Sequence, residues 1–179
     1  LMHLVNDVLE LSKFEEAERD MEMVPMDIHR ACESAVRSLN LMARDRGIEL
    51  ELVPYANIPL AILNQESIER VIINLISNGI KYTPEGGKVS VILGVTDKEI
   101  AVHIKDTGIG IPEDSLEHIF DRFFRVEKKV HTIKGTGLGL TIVTKILEKH
   151  EGRITVASSL GEGSTFSFFI PFYIDPALK

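Results

Sequence analysis

One short stretch, residues 106–112 (DTGIGIP), constrains what this chain can fold into more than any other. Residues 100–104 before it have an extended, apolar pattern, which predicts a β-strand that opens into a glycine-containing loop. Gly108 and Gly110 can adopt positive φ and let the backbone come close to a ligand. Asp106 is therefore expected at a strand end, beside a backbone that can pass beneath a flat or phosphorylated ligand.

A second glycine run, residues 135–140 (GTGLGL), leads into the apolar residues 140–147. Its glycines are predicted to precede a helix N-terminus, which is a natural anion site. The run matches the dinucleotide-binding fingerprint only loosely, because residues 126–134 are charged and do not alternate as a strand would. Either loop alone is better explained as an ordinary turn, but the two together suggest a nucleotide between them.

Composition narrows the class of protein. The chain has 179 residues, enough for one well-buried domain and an appendage. Its net charge of −7 argues against broad nucleic-acid binding, and its one cysteine, Cys32, excludes an internal disulfide framework and fits a reducing compartment. No apolar run approaches the roughly 20 residues that span a bilayer. We therefore expect a cytoplasmic chain that itself contacts neither nucleic acid nor membrane, within a parent protein that could be membrane-anchored.

The first residues predict a separate helical segment. Its narrow apolar seam follows a heptad-like spacing and consists of Leu1, Leu4, Val5, Val8 and Leu11. This helix could lie along the domain or belong to an inter-subunit bundle. Because the chain begins inside the helical pattern, we expect it to be a fragment of a longer protein. The predicted organisation is a bundle-helix segment over residues 1–20, a domain over residues 21–174 and a tail over residues 175–179.

The rest of the chain alternates helical and strand patterns. Apolar residues at helical spacing predict a helix over residues 28–45, capped by Asp27, with an apolar side formed by Ala31, Ala35, Leu39 and Met42. Further helices are predicted over residues 65–82, 115–120 and 138–150. Strands are predicted over residues 48–53, 59–63, 88–95, 98–105, 153–158 and 164–170. Residues 127–136 have almost no apolar anchors and are expected to be mobile.

The helix predicted over residues 65–82 carries two kinds of side chain on neighbouring stripes. The apolar stripe consists of Ile68, Val71, Ile72, Leu75, Ile76 and Gly79. Asn74, Asn78 and Lys81 stand beside it at i, i+4 and i+7. One Asn there would best be explained as a solvated residue, since Asn is a poor choice for a helix interior. Three aligned polar groups instead favour a site for a metal and phosphates.

Five motifs occur in a fixed order along the chain: Asn74-x-x-x-Asn78-Gly-Ile-Lys81-Tyr82-Thr-Pro, Asp106-x-Gly108-x-Gly110, Phe120-x-x-Phe123-Phe-Arg125, Gly135-x-Gly137-x-Gly139 and Gly161-x-Gly163-Ser-Thr165-Phe. Together they resemble the ATP-binding domain of two-component sensor histidine kinases, a group related to type II topoisomerases, Hsp90 and MutL. The resemblance covers roughly residues 23–172. Residues 1–18 also resemble the end of the second helix of the family's dimerisation bundle, which favours the bundle interpretation of that segment.

The resemblance implies an α+β fold, a two-layer α/β sandwich of the Bergerat type, whose mixed, mostly antiparallel sheet carries helices on one face. ATP and Mg²⁺ are the implied ligands. Asp106 would accept a hydrogen bond from the adenine amino group, joined by Thr165, and Asn78 would ligate Mg²⁺. The implied catalytic residues, which act on the phosphates, are Asn74, Lys81 and Arg125. The other implied ATP contacts are Tyr82, Gly108, Gly110, Ile111, Phe120, Gly135, Thr136, Gly137, Leu138, Gly139 and Leu140.

Two departures from the family bear on the function. Gly79 stands where the family usually has Ala, and we expect it to leave a small gap and a looser helix. The phosphoacceptor histidine box is absent, so the fragment is expected to hold ATP without phosphorylating itself. The implied reaction is γ-phosphoryl transfer to a histidine on the missing bundle helix of a homodimeric parent, and then to a response regulator. Two alternatives are a non-catalytic module that senses ATP or ADP and a serine kinase of the anti-sigma-factor type.

Overall fold

Seven β-strands and three α-helices make up the part of the chain that the computed structural model describes, residues 21–126 and 137–174. In chain order they are β1 (Val24–Met26), α1 (Ile28–Asp45), β2 (Glu49–Val53), β3 (Ala61–Leu63), α2 (Gln65–Tyr82), β4 (Lys88–Val95), β5 (Glu99–Asp106), α3 (Gly139–Lys149), β6 (Arg153–Ser159) and β7 (Gly163–Pro171). A short 3₁₀-helix, Glu113–Ser115, follows β5. The predicted helix over residues 1–18, the loop over residues 127–136 and the tail lie outside the described residues.

A five-stranded sheet with the order β2-β4-β5-β7-β6 forms one layer of the fold. β2 pairs with β4 in parallel, and the other three pairs are antiparallel. β1 and β3 form a separate antiparallel pair. On β4, β5 and β7, alternate apolar side chains such as Val91, Val102 and Phe168 are fully buried, and the second layer is made by the helices that pack over that face. The predicted α+β fold with a mixed, mostly antiparallel sheet is confirmed.

Local capping sets the bounds of the two long helices. The side chain of Asp27 accepts a hydrogen bond from the backbone N–H of His29 (2.9 Å) at the start of α1. Asn64 caps α2 by accepting from the N–H of Ser67 (3.0 Å). Both caps satisfy N–H groups that have no partner inside the helix, so both helices begin where the sequence predicts.

Two expectations for helical residues are wrong. Met42 is 44% exposed, and Ala43 takes its place in the core, because the buried stripe of α1 continues from Leu39 by one full turn of four residues. Residues 115–120 do not form an α-helix. Their backbone hydrogen bonds run from residue i to residue i−3, as from Leu116 to Glu113 and from Asp121 to His118, which gives tighter turns than an α-helix.

A buried histidine joins the start of α2 to the end of α3. His150 is 3% exposed, its Nε2 accepts from the backbone N–H of Asn64 (3.1 Å), and its Nδ1 bonds the carbonyl of Ile146 (2.7 Å). Asn64 also donates through Nδ2 to the carbonyl of Glu22 (3.1 Å), so the chain before β1 is tied to the same point. Both ring nitrogens are therefore used by the neutral imidazole, with Nδ1 as the donor.

This junction predicts a loss of stability at acid pH. Burial lowers the pKa of His150 below its ordinary value of 6.5, so the stability that it contributes is present above pH 6.5 and is lost as the pH falls below that value. His103, whose pKa burial also lowers, acts in the same direction. Chemical denaturation at about pH 7.5 and about pH 5 measures how far the free energy of unfolding falls between the two pH values. We expect a smaller fall in His150→Gln than in the wild type. Equal losses in His150→Gln and in the wild type would show that this junction does not cause the acid sensitivity.

Candidate functional site

A cavity of about 720 Å³ lies between one side of α2, the ends of β5 and β7, and the start of α3. Its volume is in the range of small-molecule sites. Most of the described residues that the sequence predicts for the site line it: Asn74, Asn78, Lys81, Tyr82, Asp106, Gly110, Ile111, Arg125, Gly137, Leu138, Gly139 and Leu140. The structure therefore brings together groups from four separate motifs around one space.

Asp106, the last residue of β5, gives the cavity a desolvated carboxylate. It is 5% exposed, and its Oδ1 accepts hydrogen bonds from the backbone N–H groups of Gly108 (2.8 Å) and Ser164 (3.2 Å). Burial raises the pKa of this carboxyl above its ordinary value, and the two N–H donors oppose that shift. With Oδ1 satisfied in this way, Oδ2 is the oxygen left for a hydrogen-bond donor in the cavity.

The glycines after Asp106 make room for protein backbone and not directly for a ligand. A Cβ added to Gly108 would lie 2.6 Å from the carbonyl oxygen of Tyr82, and one added to Gly110 would collide with the carbonyl of Ser159. Of these two glycines, only Gly110 has positive φ (+71°). The glycines thus let the loop pack between the end of α2 and the β6–β7 turn, which fixes the carboxylate of Asp106.

The polar stripe of α2 lies next to the start of α3 at one end of the cavity. A Cβ added to Gly139 would lie 3.3 Å from Oδ1 of Asn74, so this amide lies directly beside the first residue of α3. No side chain caps the N-terminus of α3 at Leu138. The first N–H groups of that helix, together with its dipole, therefore form an anion-binding end of the cavity.

Cationic side chains outnumber anionic ones around the cavity. Among the described lining residues, Arg70, Lys81 and Arg125 are cationic and Asp106 alone is anionic, although the whole chain has a net charge of −7. The described residues contain no group of three or more His, Cys, Asp or Glu that could hold a metal ion. The amide oxygens of Asn74 and Asn78 suit a hard cation such as Mg²⁺ only if oxygens from a ligand and water complete its shell. This donor set fits a metal that arrives with a polyphosphate.

The gap expected at Gly79 is absent. This residue is buried in α2, and an added Cβ would lie 3.2 Å from both Cγ atoms of Val89 and 3.6 Å from Cβ of Asp106. These distances to Val89 are shorter than an ordinary van der Waals contact, so α2 packs closely on the sheet at the residue that adjoins Asp106. The gap that was the reason to expect a looser helix is therefore not present.

Three predicted site residues, Gly108, Phe120 and Thr165, do not line the cavity. Ser164 is opposite Asp106 in the β5–β7 register and buried on the same face, so the next residue, Thr165, points to the other face beside Lys105. Phe120 packs, partly buried, against the hydrophobic core. Gly135 and Thr136 lie outside the described residues.

Sequence reasoning missed several lining residues: Arg70, Ile73, Ser77, Ile109, Ile119, Phe124, Val126, Ile142, Ser164 and Phe166. Arg70 precedes Asn74 by one helical turn, so extension of the stripe by i−4 would have found it. Ser164 follows from strand pairing, which the sequence does not display.

Comparison with known proteins agrees with this geometry. Residues 63–174 match the family described as histidine kinase-, DNA gyrase B-, and HSP90-like ATPase. The chain belongs to this ATPase family. It is 39% identical, over 97% of its length, to Drug sensory protein A from Synechocystis sp., and 35% identical, over 96% of its length, to the sensor histidine kinase WalK from Bacillus subtilis. The chain spans 28% of the length of each of these two relatives.

Several solved structures have the same fold. ShkA full-length in complex with AMPPNP superimposes with a TM-score of 0.83 at 28% identity, covering 96% of this chain and 36% of that one. Histidine kinase ThkA in complex with response regulator protein TrrA gives 0.76 at 27% identity, covering 97% and 47%. The predicted resemblance to the ATP-binding domain of sensor histidine kinases is confirmed. None of the helices within residues 21–126 and 137–174 has the length and apolar character to cross a membrane.

Proposed function

We propose that this domain binds Mg-ATP and positions its γ-phosphoryl group for transfer to a histidine of a bundle helix in a homodimeric parent protein, from which a response regulator receives it. The observation that carries the proposal is the polarity of this cavity. A desolvated carboxylate stands at one end, and an uncapped helix N-terminus beside amide and cationic side chains stands at the other. A ligand with a neutral donor-bearing ring and a polyanionic tail matches both ends.

At the base end, Oδ2 of Asp106 would accept a hydrogen bond from the exocyclic amino group of adenine. The two backbone donors on Oδ1 hold the carboxylate in place, so little side-chain freedom is lost on binding. Ile109 and Ile111 line the same cavity and would contact the faces of the ring. A carboxylate at this position favours a base with a donor, and therefore adenine, over a base that presents a carbonyl there.

At the phosphate end, the first N–H groups of α3 would bind phosphate oxygens and orient the tail. Lys81 and Arg125 would neutralise phosphate charge, and Arg125 can bind two oxygens at once. Asn78 would hold Mg²⁺ through its amide oxygen, and Asn74 would hold the phosphates or the water around the metal. When bound, Mg²⁺ supplies further neutralisation of the charge that the phosphates carry.

The reaction needs positioning and charge neutralisation more than acid–base chemistry. A nitrogen of the acceptor imidazole forms a bond to the γ-phosphorus, the bond from that phosphorus to the β–γ bridging oxygen breaks, and ADP leaves with the electron pair. The imidazole N–H proton is released to solvent. Among the described lining residues, Asp106 is the only carboxylate, and its assigned role is at the base end. The domain is therefore poorly equipped to activate water, which favours transfer to histidine over ATP hydrolysis.

The role of Asn78 can be tested by calorimetry. Asn78→Ala should remove most of the increase in ATP affinity that Mg²⁺ produces in the wild type, about tenfold, while metal-free binding changes little. Asn40→Ala, on α1, is a matched control and should keep the full increase. A variant at Asn78 that retains the wild-type response to Mg²⁺ would remove this residue from the metal site.

The residue that accepts phosphate from ATP distinguishes the proposed histidine kinase from its two alternatives, the serine kinase and the sensing module. The fragment is mixed with γ-labelled ATP and a separately made bundle that carries a histidine. Acid-labile phosphate on the bundle supports the proposal, acid-stable phosphate on a serine supports a kinase of the anti-sigma-factor type, and ATP binding without transfer supports a sensing module. The sensing module has no support in the cavity itself, since sensing does not need the cationic end that the structure contains.

A further inference from the structure

Arg70 lies outside all five motifs, yet its side chain lines the cavity. It stands on α2 four residues before Asn74 and eight before Asn78. Because four residues make about one turn with a rise of about 6 Å, the three side chains follow one another along the same side of the helix. The polar stripe of α2 is therefore one turn longer than the motif that marks it in the sequence.

The order of groups along α2 gives the cavity a direction. Gly79 marks the base end, because a Cβ added to it would lie 3.6 Å from Cβ of Asp106. Arg70 is nine residues nearer the start of the helix, which is a distance of about 13 Å along its axis. Asn74, between the two, lies against the first residue of α3. Arg70 is thus beyond the anion-binding N-terminus of α3, on the side away from the base.

The two cations of α2 therefore serve different parts of an elongated ligand. Lys81 follows Gly79 by two residues and is eleven residues from Arg70, so it would neutralise the phosphates nearer the base, and Arg70 would act on those farther from it. A nucleotide held at Asp106 extends its phosphates along α2 past Asn78 and Asn74, so the terminal phosphate comes nearest to Arg70. A guanidinium binds phosphate through paired N–H donors, which gives such a contact both strength and direction.

We propose, on the basis of the proposed function, that Arg70 is a specificity-determining residue that binds the terminal phosphate and makes this site prefer nucleoside triphosphates over diphosphates. This contact distinguishes the state before transfer from the state after it. With the terminal phosphate gone, Arg70 no longer holds the nucleotide, and ADP leaves more readily than ATP.

The test compares two ligands across three variants. Affinities for the non-hydrolysable analogue AMPPNP and for ADP, both with Mg²⁺, are measured by calorimetry for the wild type, Arg70→Ala, Arg70→Lys and the control Arg37→Ala, at an exposed position of α1. Arg70→Ala should bind AMPPNP about tenfold more weakly and ADP within about twofold of the wild type, since only the triphosphate loses a charge-assisted contact. The AMPPNP affinity of Arg70→Lys should lie between those of Arg70→Ala and the wild type. Arg37→Ala should bind both ligands as the wild type does.

Two other outcomes would overturn the proposal. Equal losses for both ligands would give Arg70 a structural role, and unchanged affinity for AMPPNP would remove it from the site. If Arg70→Ala shows no cooperative unfolding transition, it has not folded, and the same comparison of AMPPNP with ADP is then made with Arg70→Lys. If the wild type binds neither nucleotide, the proposed function fails, whereas normal ADP binding without the Arg70 effect refutes this inference alone.

Discussion

Asp106→Asn should lower the affinity for ATP about 100-fold, because a buried hydrogen bond to a charged acceptor is replaced by two facing donors. The amide oxygen of Asn can still accept from Gly108 and Ser164, as Oδ1 of Asp106 does. Its Nδ2 then takes the place of Oδ2 and faces the amino group of adenine. Calorimetry with ATP and Mg²⁺ measures the loss, and equal affinity of variant and wild type would remove Asp106 from the base site.

The same variant should not lose stability, which separates a binding defect from a folding defect. Burial raises the pKa of Asp106, so the ionised carboxylate costs the folded state stability once the pH rises above the ordinary value of 3.8. Asn carries no charge and removes that cost. The free energy of unfolding at neutral pH should therefore be equal to or greater than that of the wild type. A clear decrease would show that the charge itself holds the loop together.

Gly163→Ala should destabilise the domain by about 3–5 kcal/mol. Gly163 has φ of +93°, and an added Cβ would collide with the carbonyl oxygen of Asp106 and lie 3.0 Å from the backbone nitrogen of Gly108. No flexible side chain can move aside, because both obstacles are backbone. Urea denaturation measures the loss.

A second glycine of the same turn provides the control. Gly161 also has positive φ (+86°), but an added Cβ would meet nothing within 4 Å. Gly161→Ala should therefore cost only the backbone strain, about 1–2 kcal/mol. The difference between the stability losses of the two variants measures the cost of the clash between the added methyl group and the backbone of Asp106. Similar losses in both would mean that backbone conformation, and not the close approach of β7 to β5, explains the glycine at position 163.

The elements that the sequence predicted well are those with local causes. The bounds of α1 and α2 follow from Asp27 and Asn64, whose side chains cap the helices within three residues of themselves. The pairing of Asn74 with Asn78 on one side of α2 follows from helical periodicity alone. Both observations needed no knowledge of any other element, so the sequence sufficed.

The site residues that the sequence misplaced depend on contacts between distant parts of the chain. Thr165 and Ser164 are adjacent, and only the register of β7 against β5 decides which of them shares a face with Asp106. The glycines at 108 and 110 pack against Tyr82 and Ser159, neither of which is near them in sequence. At Gly79 the fit against Val89 likewise depends on how closely a helix approaches a sheet. Such distances are properties of packing, which residue patterns do not contain.

The hydrogen bond from Asn64 to the carbonyl of Glu22 fixes Glu22 beside the first turn of α2. Asn64 stands at the first turn of α2, fifteen residues before Gly79, and so about 22 Å along the helix axis from the carboxylate that would hold the base. Glu22 therefore lies at the end of α2 that would face the phosphates of a bound nucleotide, far from the end that would face its ring.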